Sequence, residues 1–110
     1  LSGKYSQFVI AGAAVGVVAQ SFAEWRRAFW DNLATSVEIH RIRRLIAIDH
    51  RDCAAARIAY GDAAVATPAA ELETHRRVFA ELRTELAQRQ PALAVQTLLM
   101  SLDGRTQVIT

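Results

Sequence analysis

Cysteine occurs once in these 110 residues, at Cys53, and that scarcity excludes an internal disulfide framework. A lone thiol fits a reducing compartment, so a cytoplasmic location is expected, with the sulfur left free for a metal or for chemistry. Long apolar runs are missing too. The nearest candidate, Phe8 to Ala19 with Lys4 ahead of it, imitates the charged and hydrophobic regions of a signal peptide. It is shorter than the about 20 residues that span a bilayer. Its glycines and β-branched residues suit a strand and a tight turn, so no membrane partner is expected. Nor is there a large excess of one charge: 13 Lys and Arg against 11 Asp and Glu leave +2. Without a concentrated basic stripe, no nucleic-acid partner is expected. The clusters Arg41, Arg43, Arg44 and Arg76, Arg77 read as solvated helix faces or helix ends, where the dipole favours cations.

The 52% hydrophobic and 22% charged residues argue for one folded domain over 1–110, small enough that a partner subunit can help to cover apolar surface. Gln7 to Ile10 reads as a short strand. The small residues Ala11 to Gly16 follow, with glycines that allow close approach of a ligand or, more ordinarily, of a neighbouring element. Ser21 and Glu24 have capping-box spacing, and Phe22, Trp25, Phe29, Leu33 and Val37 form one apolar helical stripe, typical of a core or a subunit interface. His40 falls near the end of that helix. Leu45 to Ile48 reads as a buried strand, and a helix follows from Cys53 to Tyr60, with Asp52 placed to cap it and Gly61 to close it. Thr67 and Pro68 open a long amphipathic helix stopped by Pro91, with Leu72, His75, Phe79, Leu82 and Leu86 along its stripe. On that stripe His75 reads as a hydrogen-bonded core histidine or as one facing a cleft. Leu93 to Leu102 is β-like, and Asp103-Gly104 signals a hairpin turn into Arg105 to Thr110. This order predicts an α/β fold: a mostly parallel sheet with helices on both faces and a C-terminal antiparallel hairpin edge.

His50 and Cys53 fall at the carboxyl end of the predicted strand, where ligands bind in open α/β sheets. A thiolate at a helix N-terminus is stabilised by unpaired backbone donors and by the dipole. Imidazole at this spacing can share the same ion, and zinc accepts sulfur and nitrogen together. A catalytic zinc takes three protein ligands, and these residues supply no third. A thiol nucleophile paired with His50, oriented by Asp49 or Asp52, is the other chemistry open to this turn.

The stretch from Leu45 to Ala55 resembles the second zinc motif of the β-class carbonic anhydrases, in which a hydrophobic strand ends in His-x-x-Cys, the cysteine often preceded by Asp. Phe8 to Ala13 is similar to that family's early strand and small-residue loop, and Leu98 to Gly104 to its closing strand and hairpin. The resemblance implies a parallel-sheet domain forming homodimers or higher even oligomers. It implies one zinc per chain, held by His50, Cys53 and a cysteine from an earlier strand, and reversible hydration of carbon dioxide to bicarbonate. Ala54 stands where that family usually has glycine, and Asp49 where glycine often precedes the histidine. Nothing here matches the family's first motif, Cys-x-Asp-x-Arg, which belongs ahead of Phe8. Residues 1–110 are therefore expected to lack an N-terminal strand. The alternative is a non-catalytic, dimerising homologue that has lost the complete zinc site.

Overall fold

A computed structural model describes residues 5–110, so Lys4 lies outside the described residues. Helix α1 (Ala14–Val18) and a short 3-10 turn over Gln20–Phe22 lead into α2 (Ala23–His40). Strand β1 (Arg44–His50) is followed by α3 (Ala54–Tyr60), a second 3-10 turn over Asp62–Val65, and the long α4 (Pro68–Arg89). Strands β2 (Ala94–Met100) and β3 (Thr106–Val108) close the chain.

The β1–α3–α4–β2 passage sets two strands parallel, in register from Arg44 opposite Ala94 to His50 opposite Met100. The Asp103-Gly104 turn then returns β3 antiparallel to β2, with Leu98 opposite Val108. Gly104 takes φ +89°, which a residue with a Cβ rarely adopts. Among the described residues the sheet has three strands in the order β1-β2-β3, so the fold is α/β with one parallel and one antiparallel pair.

Strand alternation decides which face is covered. Asp49, Thr97, Leu99 and Ile109 are buried, whereas Ile46, Ile48 and Val108 are exposed. Both α1 and α4 lie on the covered face, because the single carboxylate of Asp49 bonds to Ala14 of one and His75 of the other. The described helices therefore cover one face, where the order of elements had led to an expectation of two.

Helix α4 follows its predicted pattern. Thr67 caps it, its side chain accepting from the Ala70 N–H at 3.1 Å, and Pro68 takes the first turn. His75, Val78, Phe79, Leu82 and Leu86 bury one stripe; at roughly 1.5–3 kcal/mol per large apolar side chain, this face is a principal source of core stability.

The N-terminal third departs from expectation. Among the described residues Gln7 to Ile10 pair with no strand, and the Phe8 ring instead meets Phe29 edge-on at 5.7 Å. The small residues after them form α1, every residue of which is buried. Gly12 explains part of this: it sits at φ +77°, and a Cβ there would come 2.8 Å from the Cβ of Ala55 on α3. Its closeness thus serves a neighbouring element. Ser21 makes no capping box, because it lies inside the 3-10 turn, and α2 starts behind Phe22 with no side-chain cap. Trp30, off the predicted stripe, is buried with Phe29 and Leu33, while Trp25 remains 37% exposed, stacked on Phe22.

Candidate functional site

Strand β1 runs into a sharp turn before α3. Asp52 takes φ +57°, in the left-handed region that Asp tolerates better than most residues. Asp52 does not cap α3. Its carboxylate faces Arg57 at 3.6 Å, and Cys53 is the capping residue, its Sγ accepting from the Ala56 N–H at 3.4 Å. Cys53 is 2% exposed, its thiol buried.

His50 points away from this burial. Alternation puts its side chain on the open face of the sheet, where it is exposed, with Nδ1 2.7 Å from the carbonyl oxygen of Arg51. A hydrogen on Nδ1 donates to that carbonyl and leaves Nε2 as the free donor atom. The donor types at this turn fit zinc: a sulfur supported by a backbone N–H, and an imidazole with its second nitrogen engaged. Their number does not. Among the described residues no three His, Cys, Asp or Glu side chains come together as a metal site requires. The two predicted ligands also differ in setting, one sealed and one in solvent.

The turn is held from α4. Glu71 accepts from the Asp52 N–H at 2.7 Å and from Arg51 Nη1 at 2.9 Å, and Arg51 also reaches the carbonyl of Pro68 at 3.2 Å. Both halves of the Arg51–Glu71 pair are mostly buried, so solvent screens it less than an exposed pair. Beside it lies an open cleft of about 540 Å³ at the carboxyl ends of β1 and β2, lined by Arg51, Asp52, Thr67, Glu71, Ser101 and Asp103 among others; His50 and Cys53 take no part in its walls.

Directly behind the turn is a second cluster that the sequence half revealed. Asp49 is 1% exposed and His75 0%. Asp49 Oδ1 accepts from the Ala14 N–H at 2.9 Å, and Oδ2 accepts from His75 Nδ1 at 2.7 Å. His75 Nε2 is buried without a partner among the described residues. Burial pushes the Asp49 carboxyl up, with the His75 hydrogen bond and charge, the Ala14 N–H and the charge of His50 pulling the other way. His75 is thus a hydrogen-bonded core histidine, and Asp49 belongs to the core, not to a thiol nucleophile's orienting group. The signal for Asp49 was its parity: it shares the covered face with Leu45 and Ala47, so a carboxylate there had to find partners inside.

No protein-family model matches the chain, and no solved structure does. Two relatives bear the name "Uncharacterized protein". One, from Rickettsia bellii, is 27% identical over 104 residues, covering 94% of this chain and 63% of the relative. The other, from Rickettsia conorii, is 27% identical over 109 residues, covering 99% of this chain and 59% of the relative. The chain spans about three fifths of the length of these relatives. No helix among the described residues is long and apolar enough to cross a membrane.

Proposed function

We propose that this chain is a β-class carbonic anhydrase-like domain, with His50 and Cys53 as two protein ligands of a zinc ion whose remaining ligands come from outside the described residues. One observation carries the reading: the strand β1 ends in His50 and delivers Cys53, three residues on, to the N-terminus of α3 with its sulfur accepting a backbone N–H. A strand that ends in His-x-x-Cys is what the resemblance assigns to the family's second zinc motif. A fuller, mostly parallel sheet whose second face is also covered by helix, a homodimer, and a cytoplasmic setting that keeps the lone thiol reduced belong to the same reading. When bound, such an ion supplies activation of water for addition to carbon dioxide, giving bicarbonate.

The residues described here have the preparatory roles. Glu71 and Arg51 fix the turn, Asp49 anchors the strand that carries His50, and the Arg51 carbonyl engages Nδ1 so that Nε2 faces outward. Elemental analysis of protein purified after zinc-supplemented expression tests the reading. About one zinc per chain is expected, falling sharply in Cys53→Ser with the far-ultraviolet spectrum unchanged, and under about a tenth of a zinc per chain in the natural protein overturns it.

The second reading is a non-catalytic, self-associating homologue without the ion. It is favoured by the 2% exposure of Cys53 and the use of its sulfur as a helix cap, a role that needs no metal. Under it, zinc leaves the melting temperature unchanged, Cys53→Ala costs only the cap, and light scattering returns a dimer mass.

A further inference from the structure

The two faces of the sheet differ in chemistry. On the open face Ile48, Leu98 and Val108 form one row across all three strands, with Ile46 and Met100 beside it. Ile46, Ile48 and Val108 are 37%, 41% and 58% exposed. Strands paired in parallel are ordinarily covered on both faces, so this row lacks its cover. No strand position pointing to this face holds Asp or Glu, whereas Arg44 and His50 stand at the two ends of β1. Arg41 and Arg43, just ahead of that strand, make no ion pair among the described residues, and neither does Arg44.

Size and charge narrow the occupant. Two strands of seven residues and one of three, about 4.8 Å apart, present roughly 270 Å². A stable complex covers about 800 Å² per partner, so a partner held by this face alone binds weakly and reversibly. Charge separates the occupants: two copies of this chain meeting here would crowd Arg44 and His50 against their own kind. A single α-helix is about 10 Å across, and about 15 residues of it run 23 Å, the length of β1.

We propose that this face is a docking site for an amphipathic helix of a partner protein, with an apolar stripe for the Ile48–Leu98–Val108 row and acidic flanks for the arginines at the start of β1. The inference does not depend on zinc, since no metal donor is needed to hold the helix. Methyl-resolved NMR on the protein tests it, with two synthetic helical peptides of about 15 residues that share a leucine stripe and differ in glutamate or lysine flanks. The glutamate peptide should give saturable shifts at Ile46, Ile48, Leu98 and Val108, and the lysine peptide about tenfold weaker ones at equal salt. Ile48→Asp should abolish the response, and Arg44→Glu should invert the preference between the peptides. Absence of shifts to the solubility limit, equal response to both peptides, or shifts that track protein concentration alone, as a second copy would produce, each overturns the proposal.

Discussion

Asp49 concentrates more of this protein's logic than any residue of the predicted metal pair. Its carboxylate is sealed in the core and serves two elements at once, so Asp49→Ala should leave both the Ala14 N–H and His75 without a partner. Breaking such a buried, charge-assisted pair costs on the order of 3 kcal/mol, read as a lower urea midpoint with an unchanged slope. Asp49→Asn should cost less, because an amide oxygen can still accept from Ala14 while its NH₂ meets the Nδ1 of His75. The two residues also differ in pH response. Burial raises the Asp49 carboxyl in the folded chain. A carboxyl so raised contributes stability that is fully present below its unfolded value, about 3.9, and is lost as pH rises through the elevated folded value. Asn does not titrate, so Asp49→Asn should gain on the natural protein as pH rises from about 4. Urea midpoints of the two proteins measured between acid and neutral pH should converge or cross; a constant difference would mean that Asp49 does not carry the buried charge. Helical periodicity put His75 on the buried stripe, as a core histidine or one facing a cleft. Strand parity put Asp49 on the covered face, but it went unread because Asp49 stands next to His50, and a carboxylate at a strand's end reads as a site residue until its partners across 26 positions of chain are known.

Elements differed in how openly the chain declared them. Helix α4 was legible at both ends because Thr67, Pro68 and Pro91 act through local backbone chemistry that tertiary packing leaves in place. Thr67→Ala should accordingly cost about 1 kcal/mol, with the loss appearing first as faster amide exchange at Glu71 and Ala70. Strand β1 was legible because isoleucines in a short run have few other uses. Helix α1 was not. Its five residues are small or β-branched and all are buried, so no polar face marks a period, and the choice of helix over strand falls to the Gly12 turn and to contacts with α3 and α4. Gly12→Ala puts this to the test: a positive φ and a 2.8 Å approach to Ala55 should together cost roughly 1–3 kcal/mol, while a loss below about 0.5 kcal/mol would mean the turn can relax without them. The Ser21–Glu24 spacing misled for a related reason: Ser21 lies inside the 3-10 turn over Gln20–Phe22, whereas a capping residue stands outside the helix it opens, in extended backbone.

For the whole molecule, the sheet is thin on one side and packed on the other, and that asymmetry was invisible to pattern. The apolar run Leu45 to Ile48 in β1 and the pair Leu98-Leu99 in β2 read as burial on both faces, yet only one face receives α1 and α4. Two leucine-sized substitutions, one from each face, measure the difference. Leu99, 1% exposed beneath the helices, should lose 2–5 kcal/mol on truncation to alanine, since the cavity cannot fill from rigid neighbours. Ile48, 41% exposed on the neighbouring strand, should change stability by no more than about 0.5–1 kcal/mol on replacement by threonine, which keeps the β-branched shape. Denaturant titrations at low protein concentration give both numbers. An Ile48 loss as large as that of Leu99 would mean the open face is already covered within the folded protein, and a loss that grows with protein concentration would mean it is covered by association.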